Sequence, residues 1–338
     1  MNAGLVEIWN KFSAAEKREI FTEAAAVRGL PSAAIEKDWW VVRTLELIFT
    51  TEIAPHTVFK GGTSLSKAWA LIDRFSEDID LALDRKFLGF NKKMTGSQVK
   101  KLREHSFKYI SSNYFPQLQK AFKDARFTGV ELQIRATTSN DQDPLIIEIN
   151  YRGVTENSDY LQPRVLIEIS SRSLREPFSE RQFNSFVGEH FTGRNFADNS
   201  ITVPTVNPER TFLEKIFLLH EEFQQTAEKI KVNRLSRHLY DLEKLMDTEF
   251  AVKALSDKDL YDHIVEHRKT ITPLRGIDYA NHAPAKVNPV PPGDLIAAWK
   301  KDYEQMQQSM IYTESLPWDK LLERMMLLKE RINKMSES

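Results

Sequence analysis

The chain has 338 residues, 41% hydrophobic and 28% charged, which supports a substantial folded core in one large domain or two and excludes a disordered chain. Its formal net charge is -1, so any hold on a polyanion must come from local clustering of basic groups. With no cysteine, disulfides, thiolate zinc sites and cysteine nucleophiles are excluded.

No basic segment followed by an apolar run opens the sequence, and Glu16, Lys17, Arg18 and Glu19 place charges soon after its start, so no signal peptide is expected. No apolar stretch approaches the ~20 residues of a membrane helix. The expectation is a soluble cytoplasmic protein with no membrane partner. Residues 5–50 read as helices, with Ile35, Trp39, Val42, Leu45 and Leu47 on one apolar face. A short apolar run at 57–59 ends at Lys60-Gly61-Gly62. Residues 63–72 read as helix, 79–83 as a strand, and 86–126 as a helical stretch rich in Lys and Arg. Strands are expected at 144–150 and 164–170, each with apolar residues at alternate positions and a single carboxylate among them. Beyond Pro204 the pattern turns helical, and Asn207-Pro208 is a good helix start. Residues 273–292 hold five prolines and read as an ordered loop or linker; helices resume over 295–333.

The most informative stretch is Ser76-Glu77-Asp78-Ile79-Asp80-Leu81. On a strand Asp78 and Asp80 share one face, while Ile79 and Leu81 point into the core. Two adjacent carboxylates repel unless a cation lies between them, and such oxygen ligands suit Mg²⁺ or Mn²⁺. By itself D-x-D also describes two exposed acids at a strand end. Upstream, however, Gly61-Gly62-Thr63-Ser64 joins a strand to a helix, where bare backbone and a helix amino terminus favour a phosphate. The spacing is not that of a Walker A loop. Strand, Gly-Gly-Thr-Ser, helix, then a strand bearing D-x-D is the order of the polymerase-β type of nucleotidyltransferase. The expected fold is therefore α+β: a small mixed sheet with helices over residues 1–200, then a mainly helical domain over 201–338.

The chain resembles the AbiEii-type nucleotidyltransferase toxins, relatives of the MenT toxins. The resemblance is carried by Phe59-Lys-Gly-Gly-Thr-Ser-Leu-Ser-Lys67, Arg74-Phe-Ser-Glu-Asp-Ile-Asp-Leu81, Glu36-Lys-Asp-Trp39, Glu209-Arg-Thr-Phe-Leu-Glu-Lys215, Arg237-His-Leu-Tyr-Asp-Leu242, Asp302-Tyr303 and Arg331-Ile-Asn333. It implies transfer of a nucleoside monophosphate from an NTP with release of pyrophosphate. Further implications are Mg²⁺ or Mn²⁺ as cofactor, RNA (above all the tRNA 3′ acceptor end) as acceptor, a role in toxin–antitoxin and phage-defence systems, and a separately encoded AbiEi-type antitoxin. Asp78, Asp80, Lys215 and Asp241 are the implied catalytic residues. Lys60, Gly61, Gly62, Thr63, Ser64, Ser76 and Arg237 are those implied at the nucleotide.

Read from the residues alone, Lys215 lies off the apolar stripe Leu213, Ile216, Phe217, His220 and is either a solvated lysine or a point charge for a triphosphate. Arg234, Arg237, His238 and Asp241 gather on one face of the next helix, as a surface ion cluster or as a base or orienter flanked by phosphate-binding arginines. Relatives often carry an additional Asp where this chain has His238. Asp78, Asp80 and a third carboxylate would make the metal site. Glu168 is chosen over Glu148 because Ser170, Ser171 and Arg172 follow it with further polar contacts.

Lys92, Lys93, Lys100, Lys101, Arg103, Lys108, Lys120, Lys123 and Arg126, interleaved with Phe107, Tyr109, Tyr114 and Phe115, read either as an RNA-tracking surface or as a solvated helix face over core aromatics. His263 and His267 lack a third ligand and read as an unrelated pair. Beside RNA transfer stand two alternatives: a protein nucleotidylating enzyme, and a nucleotide-binding regulator without transfer activity.

Overall fold

The structure, a computed structural model, describes residues 3–92, 94–156 and 161–337. Two compact units divide the chain: Met1–Ala68 with Phe75–Val206, and Trp69–Arg74 with Asn207–Ser338. The architecture is α+β, as expected.

The first unit opens with helices α1 (Ala3–Lys11), α2 (Ala14–Arg28) and α3 (Ser32–Ile48). A reciprocal Ser13–Glu16 capping box starts α2, and Gly29 in the left-handed conformation ends it. Helix α3 departs from the one-faced pattern expected: fourteen of its seventeen residues are buried, Glu36, Lys37, Asp38 and Arg43 among them. It packs on α2, α6 (Phe115–Asp124), α7 (Phe186–His190) and the sheet, so every face is covered.

The remaining elements of this unit are β1 (Thr57–Lys60), a helical turn α4 (Gly61–Thr63) continuing to Ala68, β2 (Asp78–Leu83), α5 (Gly96–Tyr109), β3 (Val130–Ile134), β4 (Leu145–Tyr151), β5 (Arg164–Ser170), β6 (Phe178–Phe183) and β7 (Ile201–Val206). The seven strands lie in the order β3-β4-β5-β2-β1-β7-β6, so the carboxylate strand is central. β2 runs parallel to β5 and antiparallel to β1.

Three expectations need correction. Strands β3, β6 and β7 were not legible; β7 runs through Pro204 to Val206, just before the helix that starts at Asn207-Pro208 as expected, and pairs with β6 along its length. The basic stretch does not turn helical at residue 86: Asp84–Phe90 is a hydrogen-bonded turn, and α5 starts at Gly96 behind a Thr95–Gln98 capping box. The helix expected to reach residue 72 ends at Ala68.

The second unit comprises α8 (Pro208–Glu222), α9 (Ser236–Leu245), α10 (Glu249–Ser256), α11 (Lys258–Thr270), α12 (Ile296–Ser309) and α13 (Trp318–Asn333). Residues 273–292 form an ordered segment with short 3-10 turns, pinned to α8 through His220. Among the described residues no helix is long and apolar enough to cross a membrane.

Candidate active site

In the first unit, β1 delivers the chain to Gly61, whose φ is +81°, a conformation that side-chain-bearing residues rarely adopt. The glycine is required twice over, because a Cβ there would lie 1.9 Å from Asp80 Oδ2. Backbone and carboxylate therefore approach one another closely. The Thr63 hydroxyl bridges Ser76 Oγ (2.9 Å) and the Asp78 carbonyl (2.6 Å), tying the glycine turn to the entry of the carboxylate strand. Ser64 Oγ donates to the Gly61 carbonyl at 2.9 Å. Both residues are buried, with their hydroxyls engaged in these contacts.

Along β2, Ile79 and Leu81 are buried, and Asp78 and Asp80 are half-buried on the opposite face. Cross-strand register sets Lys60 beside Asp80 on one side and Glu168 on the other. The Lys60 ammonium reaches Ser173 Oγ at 3.2 Å. Glu148 is engaged elsewhere, accepting from Arg135 Nε (2.7 Å) and Gln133 Nε2 (2.8 Å), with Arg164 at 3.6 Å. Its burial would raise the carboxyl, but those bonds outweigh it and hold the group below its usual range. The reason given for preferring Glu168 needs correction. The side chains of Ser170 and Ser171, and the Arg172 guanidinium, gather around Asp143.

Among the described residues no group of three histidine or acidic side chains is placed to hold a metal ion. Mg²⁺ does not require one, because it takes one or two carboxylates and completes its shell with water and substrate phosphates. Asp78 and Asp80 on one face, Glu168 in register and the bare Gly61 backbone fit that demand.

In the second unit Lys215 is buried rather than solvated, because α9, α10 and α11 cover α8. Its ammonium lies 2.8 Å from Asp241 Oδ2 and 3.3 Å from His238 Nδ1. The partner that sequence reasoning overlooked is Arg74, quoted only as part of a motif. It donates to Asp241 through Nε (2.6 Å) and Nη2 (2.8 Å), a two-point pairing between fully buried groups. Burial would raise the Asp241 carboxyl, but Arg74 and Lys215 prevail and hold it far below the carboxylate range. Burial lowers Lys215, with Asp241 opposing and Arg74 adding to the fall. Burial, Lys215 and Arg237 depress His238, whose Nδ1 lies within hydrogen-bonding reach of the Lys215 ammonium. Both Asp241 oxygens thus accept from buried cations. The geometry makes Asp241 the holder of Arg74 and Lys215.

Two distant segments fix the helix that carries Asp241. Asp302 accepts from the backbone N–H groups of Arg234 (2.7 Å) and Ser236 (3.0 Å) at the start of α9. Arg331 donates to the Met246 carbonyl at its end (2.9 Å) and to Asp247 (2.8 Å). On the basic stretch Lys100, Lys101, Lys108, Lys120 and Lys123 are exposed, Tyr114 is wholly buried, and Lys93 lies outside the described residues. The interleaved Tyr114 is thus core, not a platform for bases.

Residues 44–324 match the family described as the nucleotidyl transferase AbiEii toxin of type IV toxin–antitoxin systems. That span includes the residues from Lys60 to Asp241 and leaves out 36–39 and 331–333. Among solved structures, the chain is similar to MenT4, a nucleotidyltransferase toxin from Mycobacterium tuberculosis H37Rv. The likeness has 18% identity, covers 94% of this chain and 97% of that one, and has a TM-score of 0.46. No curated protein matches the sequence.

Proposed function

The chain belongs to the AbiEii family of nucleotidyltransferase toxins of type IV toxin–antitoxin systems, and on that premise we propose that it transfers a nucleoside monophosphate from an NTP to an RNA, with the tRNA 3′ acceptor end as the favoured acceptor. The observation that carries this reading is the central strand β2. It presents Asp78 and Asp80 together, with Glu168 in register and Gly61 stripped of side chain where it meets Asp80.

In the reaction the acceptor hydroxyl oxygen bonds to the α-phosphorus, the bond from that phosphorus to the β-phosphate oxygen breaks, pyrophosphate leaves, and the hydroxyl proton passes to water. Asp78, Asp80 and Glu168 are the residues that would hold Mg²⁺ or Mn²⁺, which when bound favours the ionised nucleophile and neutralises charge on the leaving group. Gly61 and Gly62 carry no side chain between their backbone N–H groups and phosphate oxygens, with Lys60 and Ser76 as further contacts in this unit. Within the second unit Asp241 fixes Lys215 as a buried positive charge, a group of the kind that stabilises a triphosphate. Catalysis of this kind is chiefly positioning and charge stabilisation. The exposed lysines of α5 and α6 support a polyanionic acceptor. Membership of a type IV system implies an antitoxin partner, and we assign it to the AbiEi type.

The test is to incubate the purified protein with each α-labelled NTP, total RNA and cell lysate, beside Asp78→Ala. Label in tRNA that depends on Asp78 is the expected result. Label in protein would replace RNA by a protein hydroxyl, and no Asp78-dependent label with any nucleotide would overturn the transferase reading of this site.

A further inference from the structure

Helix α3 carries three consecutive charged residues, Glu36, Lys37 and Asp38, all buried. Burying charge is costly unless it is paired, so each must have a partner. Glu36 accepts from the backbone N–H groups of Val154 (2.9 Å) and Thr155 (3.0 Å). Asp38 lies 2.9 Å from the Lys67 ammonium, at the end of the turn that begins with Gly61, and accepts from Phe186 N at 2.7 Å. Lys37 makes the most telling contacts: its ammonium donates to Glu77 Oε2 at 2.6 Å and to the Gln162 carbonyl at 3.1 Å.

Glu77 sits between Ser76 and Asp78, and Gln162 lies two residues before β5. One ammonium therefore ties together the entries of β2 and β5, the parallel strands that pair Asp80 with Glu168. Strand alternation makes this consequential. Glu77, Ile79 and Leu81 are buried, and a slip of one residue would exchange them for Asp78 and Asp80. Burial of Ile79 and Leu81 sets the inward face along the strand, and at its entry the Lys37 ammonium meets the buried Glu77 carboxylate.

We infer that Lys37 is a positioning residue for the metal-binding carboxylates, acting through Glu77 and Gln162 to lock the register of β2 against β5. The inference rests on the reading of Asp78, Asp80 and Glu168 as metal ligands. Lys37 touches neither metal nor substrate in this role; it sets where the ligands lie.

The experiment measures Mn²⁺ binding to the full chain by electron paramagnetic resonance of the free ion, with Asp78→Ala as reference. Lys37→Met should weaken Mn²⁺ about tenfold, the effect usual for residues that orient metal ligands, and Lys37→Arg should stay within about threefold of wild type. Because Lys37→Met takes the Lys37 ammonium away from the buried Glu77 carboxylate and can fail to fold, the deciding variant is the double substitution Lys37→Met with Glu77→Met. It fills the space with apolar groups, so it should melt near the wild-type temperature yet bind Mn²⁺ about tenfold more weakly. Wild-type affinity in the folded double variant would overturn the inference alone. Wild-type protein with no Asp78-dependent Mn²⁺ binding would overturn the metal reading and this inference with it.

Discussion

Gly61→Ala is the substitution whose outcome the geometry specifies most fully. The new methyl carbon would lie 1.9 Å from Asp80 Oδ2, 2.8 Å from Cγ and 3.1 Å from Cβ. Non-bonded carbon and oxygen do not approach so closely, so the Asp80 carboxylate must swing aside by ~1 Å or more. A side chain at a strand face can do so at modest energetic cost. The backbone adds about 1–2 kcal/mol for holding alanine at φ +81°, partly offset by the reduced entropy of the unfolded chain. In a unit of this size the net cost lowers the melting temperature by roughly 2–4 °C per kcal/mol. Function suffers far more, because an ångström of displacement at a reacting centre costs about 10²-fold in rate. The assay is transfer of α-labelled nucleotide with Gly89→Ala as control, since Gly89 has φ +88° but nothing within 4 Å of its added carbon. Gly61→Ala should lose about 10²-fold in kcat, and Gly89→Ala only stability. Equal losses in both variants, or activity within about threefold of wild type in Gly61→Ala, would refute the role of the close approach.

Asp241→Asn leaves Arg74 and Lys215 buried without their shared counter-charge and should cost about 3–5 kcal/mol, read from the urea midpoint; a loss below about 1 kcal/mol would mean the cluster is not held as described. His220, on α8, is pushed down to about 4, chiefly by burial and then by His282. Its effect on stability is absent above the ordinary imidazole value and grows as pH falls from ~6.5 to ~4, because the unfolded chain takes up a proton that the folded one refuses. The loss should reach at most about 3 kcal/mol, and His220→Gln should flatten that slope in urea titrations while Glu221 and His282 remain in place. Chelation by EDTA should abolish nucleotide transfer and added Mg²⁺ or Mn²⁺ should restore it; label transfer that survives thorough chelation would exclude the metal role of Asp78 and Asp80.

The carboxylate strand was legible because alternation is local: once Ile79 and Leu81 are assigned to the core, Asp78 and Asp80 must share the other face. Strand β5 was legible for the same reason, and its predicted bounds agree with the structure. Strands β3, β6 and β7 escaped because two lie at sheet edges with half-exposed patterns and the third contains a proline. Helix α8 misled in another way. A helix covered on every side has no solvated face to set against its apolar stripe, so a stripe cannot reveal that Lys215 is buried.

By itself, then, the sequence determined the α+β class, the carboxylate pair and the glycine turn, since each depends on periods of two to four residues and on the special backbone of glycine. It also carried the family's motifs in order. Only the tertiary structure decided which charges meet. Arg74 and Asp241 are 167 residues apart in the chain, and Lys37 and Glu77 are 40 apart. A buried charge must find an opposite charge or hydrogen-bonding groups, but nothing local in the chain says which segment will supply them, and that choice belongs to the folded packing alone.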